Sequence, residues 1–400
     1  MKGLRDLKKL WLLFLSLSTA VVAESDLDNY LSNRKNLLFE YEDKINYLES
    51  GILKRSWINP LMINYNYTNS NQPLLDNLKN ETLSFSLNQP IFKSGGIIYA
   101  MEYADITKIA KSLGVYKQKR ALIVQLLDTL YDLKKIKLQK KQLKLIIKND
   151  NIDIQRKKEQ YLAGVIDSSF LDQAIIKRNQ DKTKLLALEL DEQRVRSSFE
   201  SLSDKNPDRL KPPKLKIIDK RSYLKNHIDL KLDSLDISLK DYNSKITLSK
   251  YLPSVSIQAN YYKTHSNIPT PGYRDDYRTL GVGVSMPINI NSPADIEKSK
   301  LAYLKSMVQL QDDIKRVESE YKLIIKAIKL IDKKIALAKS DEKLYKRLLK
   351  YTKEQFVAGN KTKLDIKTIQ NSLNIAKLDR LIYQVERQKQ ILKLYQKSSR

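Results

Sequence analysis

Two histidines, His227 and His265, and no cysteine are all that this 400-residue chain offers a transition metal or a thiolate nucleophile. That supply rules against a metal centre, a disulfide framework and a lipid-attachment cysteine. No nucleophile lies beside a base, and the isolated Ser94-Gly95-Gly96 reads as a turn instead of a phosphate cradle. Neither an enzyme nor a cofactor is expected. The groups whose placement could matter are carboxylates near helix ends, above all Asp365, six residues after Gly359. Taken alone it is a first-turn helix carboxylate stabilised by the macrodipole.

The elements that would hold such groups must be long, because only 10 Gly and 11 Pro serve 400 residues. The pool of Lys, Leu, Ile, Asp, Glu and Gln favours helix, while 30% charged residues and a mean hydropathy of −0.48 exclude a bundle of transmembrane helices. The net charge of +27 points first to nucleic acid or an anionic surface, but Lys is spread among Asp and Glu without clustering beside aromatics. A solvated helix surface is the expectation, with no nucleic-acid partner. Residues 1–23 carry a basic start (Lys2, Arg5, Lys8, Lys9), an apolar run from Leu10, and small residues at Val21 and Ala23. They read as a secretory signal peptide cleaved after Ala23, which lowers the charge to about +24.

The rest is a duplication. Asn33 to Leu37 (NRKNL) matches Asn226 to Leu230 (NHIDL), and Pro60 in SWINPLMINYNY matches Pro253 in KYLPSVSIQANYY. TLSFSLNQPI (Thr82 to Ile91) matches TLGVGVSMPI (Thr279 to Ile288), and EQYLAG (Glu159 to Gly164) matches EQFVAG (Glu354 to Gly359). Offsets of 193 to 197 in one order define two strand-strand-helix-helix repeats, residues 24–204 and 217–400, joined by residues 205–216. The strands are expected near 58–69, 81–91, 253–263 and 278–289. Each alternates with period two: Ile63, Tyr65 and Tyr67 against Asn64, Asn66 and Thr68; Leu83, Phe85 and Leu87 against Ser84, Ser86 and Asn88; Val255, Ile257 and Ala259 against Ser256, Gln258 and Asn260; Leu280, Val282 and Val284 against Thr279, Gly281 and Gly283.

Strands of about ten residues with one apolar and one uncharged polar face suit a tilted bilayer span. Four strands cannot close a barrel, and a membrane sheet cannot leave its edges unpaired, so copies must share one. Two copies would give eight strands with a filled interior, and three would give twelve with a lumen. The Ser, Asn, Gln and Gly faces favour three.

Two stretches, Gly96 to Gly164 and Pro293 to Gly359, are almost free of Gly and Pro and predict helices of about 65 to 70 residues, about 100 Å each. Coiled-coil spacing is sustained at Ile324, Ile328, Ile331, Ile335 and Ala338. Gly164 and Gly359 end the runs, each followed by a returning helix. Pro90 and Pro287 stand where strand gives way to helix and can end strand pairing there.

Over essentially the whole chain after residue 23, these features resemble the TolC family of outer-membrane efflux proteins. The residues that carry the resemblance are NQPIFKSGG, LPSVSIQANYY and the paired turns YLAGVIDSSFLDQA and FVAGNKTKLDI, in that duplicated order. The resemblance implies a mainly α fold with β, in which a homotrimer shares a twelve-stranded β-barrel in outer-membrane lipid continued by a periplasmic α-helical coiled-coil barrel. It also implies work with a periplasmic adaptor and an inner-membrane pump, as exit duct of a tripartite efflux or type I secretion system in a Gram-negative cell. By the same resemblance, Ala163, Gly164, Val165, Ala358, Gly359 and Asn360 would meet the adaptor. Asp365, Lys361 and Phe356 would sit at the periplasmic constriction. This sequence has Phe356 where a gate tyrosine can occur, Phe170 and Thr368 in place of acids, and Ile228 where the family often has proline. The expectation is a gate held by apolar packing and Lys361. An exported coiled-coil adhesin or envelope scaffold accounts for the helices but not for four matched amphipathic strands.

Overall fold

The computed structural model describes residues 30–72, 75–267 and 274–398, so the expected signal peptide, residues 1–23, lies outside the described residues. The elements run in the order α1 (Asn33–Lys54), β1 (Met62–Gln72), β2 (Leu75–Phe92), α2 (Gly96–Leu162), α3 (Ser168–Glu200), α4 (Lys220–Lys225), α5 (Ile228–Ser249), β3 (Ser254–Ser266), β4 (Asp276–Ser285), α6 (Ser292–Val357) and α7 (Lys363–Lys397). They form two compact units: residues 40–115 with 229–314, and residues 30–39, 116–228 and 315–398. The unit boundaries fall inside α1, α2, α6 and the first turn of α5, so they cut across the sequence repeat.

The first unit contains an antiparallel sheet in the order β1-β2-β3-β4. Its register follows the alternation: Ile63 faces Phe85, Phe85 faces Tyr261, Leu87 faces Ala259, and Ala259 faces Leu280. In the stretch from Ile63 to Leu280 apolar residues thus stand opposite one another, with Lys263 opposite Leu83 and Arg278 opposite Tyr261 at its margin, and a one-residue slip would reverse the faces. The strand ends differ from the sequence expectation. Asn59 is bound by side chains instead of a ladder, its N–H donating to Gln89 Oε1 (2.9 Å) and its Nδ2 to the Asn88 carbonyl (2.5 Å), so β1 starts at Met62. Pairing from Met62↔Ser86 to Gln72↔Leu75 carries β2 back to Leu75, and β4 stops at Ser285, two residues before the donorless Pro287. Pro90 lies within β2 opposite Ser256, beside a register irregularity.

The passage from β2 to α2 uses left-handed backbone at Ser94 (φ 43°) and Gly95 (φ 86°). Ser94 Oγ donates to the Pro253 carbonyl (2.7 Å), and a Cβ on Gly96 would stand 2.3 Å from Ser249 Oγ. Glycine at 96 is therefore required by close approach.

In the second unit, one face of α2 (Ile123, Leu126, Leu127, Leu130, Tyr131) buries against Leu31, Phe199, Leu202, Val385 and Leu392. The irregular stretch after α3 is tied to this core: Tyr131 Oη donates to the Pro213 carbonyl, Tyr395 Oη to the Lys216 carbonyl (3.0 Å), and the Leu215 N–H to Gln388 Oε1 (2.7 Å). His227 is fully buried, edge-on to Tyr223 (5.2 Å), which in turn contacts Tyr321 (5.3 Å). It is a core aromatic, and among the described residues no cluster of His, Cys, Asp or Glu is arranged to hold a metal.

Candidate functional site

Two features of the chain present themselves as functional. One is the sheet, the other the pair of helical turns.

On one sheet face, Ile63, Tyr65, Leu83, Phe85, Leu87, Ile257, Ala259, Tyr261, Leu280, Val282 and Val284 form an apolar band across all four strands. Much of it is bare, with Leu280 81% and Val282 71% exposed. Charge enters at the margin of the band, where Lys263 faces Leu83 and Asp276, Arg278 faces Tyr261, and Glu81 faces His265. The opposite face carries Asn64, Asn66, Ser84, Ser86, Asn88, Gln258, Asn260 and Thr279, with Asn260 Nδ2 donating to Thr279 Oγ1 (3.2 Å). Neither β1 nor β4 has a second neighbour among the described residues. No helix among the described residues is long and apolar enough to cross a membrane.

The two turns share one construction. At the first, Val165 N–H donates to the Gln160 carbonyl (2.9 Å) and Gly164 N–H to the Tyr161 carbonyl (3.0 Å); at the second, Asn360 N–H donates to Gln355 (2.9 Å) and Gly359 N–H to Phe356 (3.1 Å). This is a Schellman cap, and it needs the left-handed φ of +68° at Gly164 and +80° at Gly359. The next helix is then capped by Asp167, which accepts from the Ser169 N–H (2.8 Å), or by Thr362. Ala163, Val165, Ala358, Asn360, Lys361 and Phe356 are exposed around these turns, beside Gly164 and Gly359.

Asp365 is held inside the chain. The Thr362 N–H and hydroxyl both donate to Asp365 Oδ2 (2.8 Å each), the Asp365 N–H returns to Thr362 Oγ1 (3.3 Å), and Arg156 Nη2 donates to Asp365 Oδ1 (2.5 Å). The Thr362 backbone N–H, more than any other partner, holds the Asp365 carboxyl below the usual carboxylate range, helped by the Thr362 hydroxyl and the charges of Arg156 and Lys361.

Arg156 is the last rung of a ladder that sequence reasoning missed. Between α2 and α7, Lys135 pairs with Glu386 (2.7 Å), Gln142 donates to Asp379 (2.7 Å), Asn149 meets Asn371 (2.8 Å) and Ser372 (3.4 Å), and Arg156 meets Asp365. The positions fall every seven residues on both helices: 135, 142, 149, 156 against 386, 379, 372, 365. Polar residues at a seven-residue period in two helices of opposite direction were the available signal. Desolvation raises the Asp379 carboxyl, against the hydrogen bond from Gln142.

Among the described residues the chain thus combines an amphipathic sheet with two open edges and two helical turns closed by the same cap. No family model and no curated relative matches the chain by sequence. Among solved structures, it is similar to the outer membrane protein VceC of Vibrio cholerae (12% identity, 91% of this chain and 93% of that one, TM-score 0.70). It is also similar to the Campylobacter jejuni CmeC outer membrane channel (16%, 92% and 84%, TM-score 0.72) and to the open state of the Neisseria gonorrhoeae MtrE outer membrane channel (13%, 93% and 87%, TM-score 0.64). The fold is that of the TolC-type outer-membrane channels.

Proposed function

We propose that this chain is the outer-membrane exit duct of a Gram-negative efflux or type I secretion assembly, a passive channel shared by three copies. The observation that carries the reading is the sheet: an apolar band on one face, an uncharged polar lining on the other, and two unpaired edges. In hydrocarbon each unmet backbone group costs several kcal/mol, on the order of the polar transfer penalty, so the edges must be joined. β1 and β4 run in opposite directions, so β4 of one copy can continue the antiparallel order into β1 of another. Three copies leave room for the polar face to line water.

The helices support the same assembly. On α6, Leu323, Leu330, Leu337, Leu344 and Tyr351 recur every seven residues and are exposed in the single chain. Burying a leucine fully contributes about 1.5–3 kcal/mol, so such a stripe is stabilised by neighbouring helices of other copies. The turns at 163–165 and 358–360 are the candidate contacts for a periplasmic adaptor, which with an inner-membrane pump would open the duct and choose its cargo. Asp365, Lys361 and Phe356 remain the candidate constriction. Residues 1–23 would direct export, and the two repeats, 24–204 and 217–400, would each supply two strands and one helical hairpin.

The test is reconstitution of purified protein in planar lipid bilayers together with its mass in detergent. A trimer that conducts ions is expected. A monomer that leaves the bilayer silent would sink the duct.

A further inference from the structure

We propose that Lys263 and Arg278, on the apolar face of the sheet, bind the phosphate of an anionic lipid headgroup in the outer leaflet of the membrane. This rests on the outer-membrane duct reading and deepens it by naming the lipid chemistry that the sheet takes. Side chains alternate along a strand, so Lys263, opposite Leu83, and Arg278, opposite Tyr261, stand on the side of Ile63, Phe85 and Leu280. Both are exposed. A cation on a lipid-facing side is stable only where the hydrocarbon ends. The strand lengths put it there: from Val255 to Lys263, β3 rises about 27 Å, or about 20 Å once tilted, close to the ~25 Å of a barrel's apolar band. The helices α1, α2, α5 and α6 adjoin the other ends of the four strands. With those helices on the periplasmic side, Lys263 and Arg278 lie at the outer leaflet.

The register brings the two cations together. Directly opposite Lys263 is Asp276, and Arg278 is the diagonal neighbour two residues on, a relation that spans about 7–8 Å and is within reach of long side chains. On the opposite, polar face, Tyr262 and Tyr277 stack with ring centroids 4.8 Å apart, which fixes β3 against β4 at this level. Arg278 lies one row deeper than Lys263, beside the Phe85–Tyr261 ring pair (6.1 Å). Its stem can lie along that apolar surface while the guanidinium extends outward to the level of Lys263. A planar fork and a compact ammonium then converge where a headgroup phosphate sits above the acyl chains. The acids stand no deeper than the cations: Asp276 shares the row of Lys263, and Glu81 is one row farther out, facing His265. Neither Lys263 nor Arg278 has an ion pair among the described residues. The innermost charge on this face is therefore a guanidinium, the group that an anion directly above hydrocarbon would meet first.

The full chain, purified and stripped of lipid in detergent, tests this by native mass spectrometry with three probes: lipid A, a diphosphorylated glycolipid; zwitterionic phosphatidylcholine; and inorganic phosphate. Lipid A should be held more tightly than phosphatidylcholine. Lys263→Gln and Arg278→Gln should each weaken lipid A binding about fivefold, and the two together about 25-fold, with phosphatidylcholine unaffected. Arg278→Lys should keep most of the binding, and Lys329→Gln with Lys333→Gln on α6, an equal loss of charge, should leave it unchanged. The single variants, each retaining one cation, carry the test if the double variant does not assemble. Equal affinity of wild type and the Gln variants for lipid A, or no preference for lipid A over phosphatidylcholine in the wild type, overturns the proposal. Inorganic phosphate bound as tightly as lipid A makes this a free-anion site and overturns the lipid assignment. Bilayer conductance of the same preparations keeps the two readings apart: conducting protein without a lipid A preference defeats the lipid site alone, whereas silent protein that still prefers lipid A defeats the duct.

Discussion

Removing one partner of the Arg156–Asp365 rung isolates what the second turn depends on. Asp365→Ala deletes the returning half of a capping box and a charge-assisted bond at once. A lost cap costs about 1 kcal/mol. The ion pair, with side chains 35% and 24% exposed, contributes about 1 kcal/mol more at most. Arg156→Gln removes only the second part. Since 1.4 kcal/mol is about tenfold in an equilibrium, local opening of the first turn of α7 should rise up to about 25-fold in Asp365→Ala and up to about fivefold in Arg156→Gln. Amide hydrogen exchange at Leu364 to Lys367 in detergent-solubilised protein reads both, and the double variant should show no more than Asp365→Ala. The Asp365 carboxyl is held below its unfolded value, so its contribution is present above about pH 4 and is lost as pH falls through the folded value. Independent, additive effects, or exchange no faster than in an exposed control such as Asp191→Ala, would refute the rung.

Further outcomes follow from the same geometry. Gly164→Ala and Gly359→Ala meet no atom within 4 Å, yet each places a Cβ at positive φ, so each should lower stability by about 1 kcal/mol, with Gly359→Asn milder, as measured by denaturant midpoint. Val282→Lys, in the middle of the apolar band, should cost about 2–4 kcal/mol of membrane stability and reduce the assembled fraction, whereas Thr279→Lys on the polar face should assemble. Phe356→Ala should raise resting conductance if apolar contacts hold the constriction; unchanged conductance beside an open Lys361→Ala channel would remove that half of the gate.

The alternation of Ile63, Tyr65 and Tyr67 with asparagines was enough to fix which residues share a face, because side chains in a strand change sides at every residue. Two long runs without proline or interior glycine implied helices of the observed length, since nothing in them interrupts the ladder of backbone bonds. Gly164 and Gly359 marked the turns because only glycine adopts positive φ without strain. The duplication is a reading of the sequence itself, from matched words at offsets of 193 to 197. The strand boundaries were less so, because side-chain bonds from Asn59 and Gln89 compete with the ladder in a way no local pattern announces.

What tertiary structure alone decided was partnership. The order β1-β2-β3-β4, and with it the two edges left open among the described residues, is a matter of which strands meet across more than 150 residues of chain. Asp365 shows the limit most clearly: local sequence made it a first-turn carboxylate, and resemblance made it a ring acid. Its bond to Arg156, 209 residues away, exists only because α2 and α7 run antiparallel in one register. A charge's role depends on what lies within a few ångströms of it, and distance along the chain carries no record of that.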